Sequence, residues 1–275
     1  DENVALAYVI TSGSRGRLKA GEYLFDTPLT IPEVIDKIAS GKVYLRRFTV
    51  PEGLTVRETA LAWAEQGFGT AEEFLAAVAE SGDLAHELGG EGLEGYLFPE
   101  TYSFPSRTSA RKAVEAMVAR FKEVFERLSQ ELATEQWPLN PRQTVILASL
   151  VEAEAAVDDE RVLVASVFLN RLKIRMPMQC DPTVIYALER ENRYRGRLTL
   201  ADLKFDSPYN TYRYPGLPPG PITNPGELSL QAAIRPATSS YLYFVRTAEG
   251  RHAFSENLAK HNRAVAAYRA MTRGK

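Results

Sequence analysis

The sequence predicts an α+β protein, with a small α/β module followed by a mainly helical domain that carries a β-hairpin and long Pro-rich loops. Capping signatures at Thr30, Thr55 and Thr70 open short helices around one strand-like run, Val43 to Val50. From Ser109 to about Leu132, apolar residues recur at helical spacing. After Pro138, Asn140 and Pro141 the texture changes to further helices interrupted by Pro- and Tyr-rich loops. At 275 residues the chain is long enough for one large domain or two modest ones with real cores.

In chain order, residues 1–20 are weakly patterned, with a turn-rich patch at Ser12-Gly13-Ser14-Arg15-Gly16. Thr30-Ile31-Pro32-Glu33 combines a capping Thr, a Glu three residues on and a Pro in the first turn, so a helix is expected to about Ser40, ending at Gly41. Thr55-Val56-Arg57-Glu58 opens a second helix through Trp63, and Thr70-Ala71-Glu72-Glu73 a third. Residues 42–80 thus read as strand, helix, turn, helix. In the helix from Ser109, the stripe of Val114, Met117, Val118, Phe121, Val124, Phe125 and Leu128 is expected to be core. Helices are expected at about 142–155 and 159–174, followed by a loop-rich tract over 202–227. Tyr241 to Arg246 should pair through Glu249-Gly250 with His252–Phe254, ahead of a C-terminal helix carrying Leu258, Ala264, Val265 and Tyr268.

Composition excludes several classes. A net charge of −2 gives no support to nucleic-acid binding. The single cysteine, Cys180, rules out an internal disulfide. His86, His252 and His261 have no metal-ligand spacing, and neither a phosphate-binding Gly-rich loop nor a Gly-x-Ser-x-Gly elbow occurs. No metal and no cofactor is therefore expected. What remains is carboxylate chemistry beside a tract rich in Tyr, Asn and Gln, side chains suited to the faces and hydroxyls of sugars.

The carboxylates stand at the end of the apolar run Ile146-Leu147-Ala148-Ser149-Leu150-Val151-Glu152-Ala153-Glu154. At roughly 100° per residue, Ile146, Leu147, Leu150 and Val151 share one face, Glu154 falls near its centre, and Glu152 points to the opposite side. A carboxyl held against apolar neighbours has its pKa raised, which makes a general acid for neutral pH. Glu154 is the expected acid. Glu152, solvated or paired with a cation, and Glu100, after Pro99 in an aromatic-rich segment, are its rivals.

Several ordered motifs resemble those of the YceG-like (MltG) family of endolytic murein transglycosylases. They are Ala148 to Glu154, Val167-Phe168-Leu169-Asn170-Arg171-Leu172, Met178-Gln179-Cys180-Asp181-Pro182-Thr183, Tyr209-Asn210-Thr211-Tyr212, Gly216-Leu217-Pro218-Pro219-Gly220-Pro221 and Asn224-Pro225-Gly226. Upstream, Gly95-Tyr96-Leu97-Phe98-Pro99-Glu100 and Leu18-Lys19-Ala20-Gly21-Glu22-Tyr23 extend the likeness over nearly the whole chain. Phe48 to Thr55 resembles, more weakly, the opening of a LysM-type peptidoglycan-binding module.

The resemblance implies four segments. Residues 1–41 would follow a membrane anchor lying upstream of Asp1, 42–80 would be LysM-like, 81–138 a connecting helical region, and 139–275 a lysozyme-like catalytic domain. It implies a bacterial enzyme held at the inner membrane by one helix, with its catalytic part on the extracytoplasmic side. Such an enzyme would cut glycan strands between N-acetylmuramic acid and N-acetylglucosamine, leave 1,6-anhydro ends and limit strand length beside the cell-wall synthesis machinery. A more distant parallel with soluble lytic transglycosylases implies Glu154 as the catalytic acid. Gln179, Tyr209, Asn210 and Tyr212 would orient the sugar, with Glu152 and Glu100 as further candidates near it. Two positions depart from the family pattern: Ala155 stands where Thr usually follows the acid, and Cys180 where Thr or Ser is common. A hydrolytic lysozyme-like glycosidase and a non-catalytic wall-binding scaffold working through 42–80 remain alternatives.

Overall fold

The computed structural model describes residues 2–132 and 137–272; Asp1 and residues 273–275, at the outer limits of the first and last expected segments, lie outside them. The fold is α+β with helix dominant, and two separate two-stranded sheets supply its β-structure. Helix α1 (Glu2–Thr11) forms in the weakly patterned N-terminal stretch, leaving Val4, Leu6 and Ile10 exposed. No helix among the described residues is long and apolar enough to cross a membrane.

Helix α2 (Ile31–Ser40) starts at the expected capping box, where the Thr30 N–H donates to Glu33 Oε2 at 2.7 Å. It stops where Gly41 turns left-handed at φ +70°. Strand β1 (Arg46–Thr49) and helices α3 (Val56–Glu65) and α4 (Ala71–Ala79) follow, the latter two opened by Thr55–Glu58 and Thr70–Glu73 boxes. A short helix, α5 (Gly82–Glu87), comes next. The strand is shorter than the run from Val43 to Val50, and its antiparallel partner is β2 (Thr101–Phe104), with Phe48 opposite Tyr102. That partner lies beyond residue 80. A lone strand leaves a row of unpaired backbone groups, so residues 101–104 complete the strand–helix–helix unit. Its centre is aromatic: Phe48 and Trp63 meet edge to face at 5.2 Å and Phe68 stacks on Trp63 at 4.9 Å.

Helix α6 (Ala110–Leu132) buries the expected stripe except Phe125, which is half-buried, and packs on α4. The residues that mark a break in the sequence, Asn140 and Pro141, in fact start a helix. Asn140 Oδ1 caps the Gln143 N–H at 2.9 Å, Gln143 Oε1 caps back at 3.1 Å, and Pro141 occupies the first turn of α7 (Pro141–Glu154). Helix α8 (Arg161–Lys173) follows a 3₁₀ turn, and α9 (Asp181–Arg190) and α10 (Glu227–Ile234) arise in stretches without clear periodicity. Strands β3 (Tyr243–Arg246) and β4 (His252–Ser255) form the expected hairpin, and α11 (Leu258–Thr272) ends the described chain.

One apolar core runs from Phe48 in β1 to Ile234 in α10. Helix α7 is its axis, packed by α8, α9 and α10, and every residue from Thr144 to Val151 is buried. A helix buried all round has no solvated side. The one-face reading of α7 is therefore corrected: Glu154 meets open space because the helix ends there.

The loop-rich tract is sewn into this core by Asn224, which is fully buried. Its side-chain oxygen accepts the Gly95 and Leu97 N–H groups at 2.9 and 3.0 Å, and its amide donates to the Leu54 carbonyl at 2.8 Å. Gly95 itself, at φ +87°, lies so close to the tract that a Cβ there would come within 2.5 Å of Pro221.

Candidate active site

The C-terminal end of α7 opens into a cleft of about 590 Å³. One wall is the β3–β4 hairpin with the start of α11; the other is the turn at 178–181 with Tyr212. Three of the expected site residues meet here: Glu154, Gln179 and Tyr212.

Glu154 is half-buried at the end of its helix. Protein packed around the carboxyl pushes its pKa up to about 7. Smaller influences oppose one another: the Cys180 thiol bonds to the charged form and lowers the value, Asp181 raises it and Arg171 lowers it. At neutral pH the group is poised between acid and base.

The turn facing it is rigidly held. Gln179 adopts φ +50°, a left-handed conformation that costs a non-glycine residue about 1–2 kcal/mol. Its N–H bonds the Thr211 carbonyl at 3.2 Å, and its exposed side chain lines the cleft. The Cys180 N–H bonds Thr211 Oγ1 at 3.1 Å, and Thr183 Oγ1 donates to the Cys180 carbonyl at 2.7 Å. Cys180, one of the two departures from the family pattern, is buried and turns its thiol to Glu154; burial raises its own pKa well above normal. Ala155, the other, ends α7 with its N–H on the Val151 carbonyl.

Tyr212 donates to Asp181 Oδ1 at 2.5 Å, and burial, then this bond, raises its phenol pKa. Asn210 is fully buried and not on the cleft wall. Its amide bonds the Leu203 and Phe205 carbonyls at 3.0 and 2.7 Å, and its oxygen accepts the Tyr212 N–H at 3.0 Å, so it shapes the loop that presents Tyr212. Tyr209 faces a different cleft, with Tyr186 and Arg190.

The two rival carboxylates also lie away from the cleft. Glu152 is buried, bonding Arg161 Nη2 at 3.3 Å and the Gly226 N–H at 2.9 Å, so it ties α7 to α8 and to the start of α10. Glu100 accepts from Arg120 Nε at 2.6 Å on the flank of α6.

Three cleft residues carry no role in the sequence reading. Arg171, on α8, is buried and donates to the Leu242, Pro177 and Met178 carbonyls while lying 5.2 Å over the Tyr243 ring. A charge following the largely apolar run Val164 to Leu169 is the local signal that marks Arg171. Asp181 is a second carboxylate, exposed at the rim at the start of α9. His261, from α11, stacks on Tyr243 at 5.1 Å, and its buried Nδ1 has no hydrogen-bond partner. Burial and then Arg171 lower its pKa, which favours the neutral imidazole. No local pattern marks these two. Among the described residues no cluster of His, Cys, Asp and Glu fits a metal ion.

The profile of the YceG-like family matches residues 1–267. An endolytic murein transglycosylase of Bacillus subtilis (strain 168) is 34% identical over 95% of this chain and 76% of its own length. One from Streptococcus pneumoniae serotype 2 (strain D39) is 32% identical over 90% of this chain, which spans only 50% of that protein. A Listeria monocytogenes crystal structure described as YceG-like superposes with a TM-score of 0.71 at 31% identity, covering 96% of this chain and 90% of that one.

Proposed function

Because the chain belongs to the YceG-like family, we propose that it is an endolytic lytic transglycosylase that cuts peptidoglycan between N-acetylmuramic acid and N-acetylglucosamine. The observation that carries this is Glu154, a carboxyl whose pKa is about 7 at the wall of a cleft with polar groups on both sides. Protonated, Glu154 gives its proton to the glycosidic oxygen as the bond to the anomeric carbon breaks. The carboxylate so formed takes the proton from the muramic acid O6 hydroxyl as that oxygen bonds the anomeric carbon. The ring closes as a 1,6-anhydro sugar, Glu154 returns to its acid form and no water is consumed. Gln179, Tyr212 and His261 offer amide, hydroxyl and imidazole to the sugar, while Asn210 supports the loop. The same reading takes 139–275 as a lysozyme-like catalytic domain and 42–80 as a LysM-like glycan-binding unit. It places the enzyme on the extracytoplasmic side of the inner membrane, anchored upstream of residue 1, where it limits strand length beside the cell-wall synthesis machinery.

Mass spectrometry of digested sacculi tests this: products ending in anhydro-muramic acid are lighter by one water than reducing ends. Reducing ends alone would refute the lytic reading.

Asp181 supports one second reading, since hydrolytic glycosidases ordinarily use two carboxylates and Asp181 shares the cleft with Glu154. There it would activate a water. Asp181→Asn separates the two. If Asp181 only raises the Glu154 pKa, the variant loses less than about tenfold in kcat/KM, and the alkaline limb of its pH profile moves to lower pH. If Asp181 is the base, the loss is about 10²-fold or more.

Cys180→Ser tests the thiol contact. A hydroxyl is the stronger donor, so it further favours the ionised Glu154 and lowers its pKa. The alkaline limb should move down by about 0.5–1 pH unit, equivalent to ~0.7–1.4 kcal/mol.

A further inference from the structure

A second cleft, of about 440 Å³, opens at the opposite ends of the two helices that frame the first. Arg142 stands in the first turn of α7 and Arg190 is the last residue of α9, whereas Glu154 and Asp181 mark their other ends. From Arg142 to Glu154 is twelve residues of helix, roughly 18 Å at 1.5 Å per residue. The sugar-site chemistry does not use this cleft.

Two arginines, Arg142 and Arg190, and two acids, the exposed Glu91 and Glu94 with its carboxyl buried, line the second cleft. The Arg190 guanidinium lies 5.2 Å from the Tyr209 ring and 5.9 Å from that of Tyr186, and among the described residues it makes no ion pair or hydrogen bond. A guanidinium is a planar fork of N–H donors that matches a carboxylate. Arg142 joins the two lips by donating to the Gly89 and Pro219 carbonyls at 3.1 and 2.8 Å. Tyr96 lines the cleft, is only 2% exposed, and its hydroxyl has no hydrogen-bond partner. A buried hydroxyl left unpaired is costly and calls for an explanation. The buried acid here, Glu94, is already engaged by the Val56 N–H at 2.9 Å and the Tyr186 hydroxyl at 3.2 Å. Burial raises its pKa to about 7, so its repulsion of an incoming anion is weakened near neutrality.

A sugar ring is a poor fit. Sugars pack on open aromatic faces, and Tyr209 is covered by Arg190 and by Tyr186, whose ring centroid is 5.0 Å away. We propose that this cleft holds the free terminal carboxylate of a peptide, the stem peptide borne by the glycan strand lying in the Glu154 cleft, with Arg190 as the fork and the Tyr96 hydroxyl as a further donor. An extended peptide of about five residues spans roughly 17 Å, about the length of α7 between Arg142 and Glu154. The identity of the peptide rests on the peptidoglycan reading; the carboxylate site rests on the cleft alone.

Calorimetric titration tests it, using L-Ala-γ-D-Glu-L-Lys-D-Ala-D-Ala as the free acid and as its C-terminal amide. The acid should bind the wild-type protein about tenfold or more tightly than the amide, as expected for a charge-assisted bidentate pair. Arg190→Gln, at an exposed helix end, should erase that difference, and Arg190→Lys should restore little of it. Tyr96→Phe should weaken acid binding by about threefold, one modest hydrogen bond. Equal binding of acid and amide by the wild type, or a preference that survives in Arg190→Gln, overturns the proposal. Digestion of sacculi is scored in parallel. A protein that binds the acid but cuts no glycan refutes the reading of Glu154; one that cuts glycan without acid preference refutes the second cleft.

Discussion

Glu154→Gln abolishes glycan cleavage, by about 10³-fold or more, while making the protein more stable above neutral pH. The loss follows because one group serves as both acid and base, and general acid–base catalysis contributes about 10²–10⁴-fold. The gain follows from the same burial. The Glu154 pKa is raised in the folded state from an ordinary 4.5 to about 7. Folding therefore favours the protonated form: stability is fullest below about pH 4.5, declines as pH rises towards 7, and is lowest above it. A shift of this size corresponds to about 3–4 kcal/mol. Glutamine stays neutral at all pH values, so at pH 8 the variant should melt about 4–8 °C above the wild type, and at pH 4 the two should coincide. Calorimetry at both pH values, with circular dichroism to verify the fold, reads this. A residue that is merely structural would show the stability pattern without the catalytic loss.

Asn224→Ala has the largest expected effect on stability. Its side chain is the acceptor for two buried backbone donors, Gly95 and Leu97. Alanine leaves both without a partner, at about 1–3 kcal/mol each. The Leu54 carbonyl keeps the Asn224 backbone N–H, at 2.8 Å. The total, about 2–6 kcal/mol, is a large share of a typical folding free energy. It should appear in urea as a lower midpoint with unchanged slope. Since Asn224 joins the end of β1's connection to α3, the segment before β2, and the loop before α10, its loss would also loosen the first strand–helix unit against α7.

These two residues differ in how far the sequence reveals them. Glu154 is legible because its signal is local: a charge at the end of an apolar run stands out, although the periodicity assigned to that run does not hold. Asn224 reads only as part of a Pro- and Gly-containing loop, and its partners lie 127–170 positions away in sequence. The same division runs through the fold. Helices opened by Thr with Glu three residues on are visible at Thr30, Thr55 and Thr70. The Asn140–Gln143 box is physically equivalent, but it is hidden among prolines that read as a break. Strand β2 could not be paired from the sequence, because β1 and β2 are separated by three helices, α3 to α5.

Within the site, Gln179 reaches the cleft with Met178 and Asp181 beside it, whereas Tyr212 reaches it without Tyr209 and Asn210. Adjacent residues of a turn point different ways: Asn210 goes inward to bond the loop carbonyls, and Tyr209 faces the second cleft. Glu152 misleads because its position opposite the apolar face suggests solvent, whereas α7 is enclosed on all sides and the acid meets Arg161. Arg171, Asp181 and His261 come from three different helices and meet Glu154 only in three dimensions.

The central claim is that Glu154 is protonated to a useful extent at neutral pH. Carbon-13 NMR of glutamate side chains follows this directly, with Glu154→Gln identifying the resonance. Glu154 should titrate near pH 7 in the free protein, and the alkaline limb of kcat/KM on glycan strands should fall at the same pH as the acid form is lost. Titration of Glu154 in the ordinary carboxylate range near 4.5, with activity undiminished through pH 8, would contradict it.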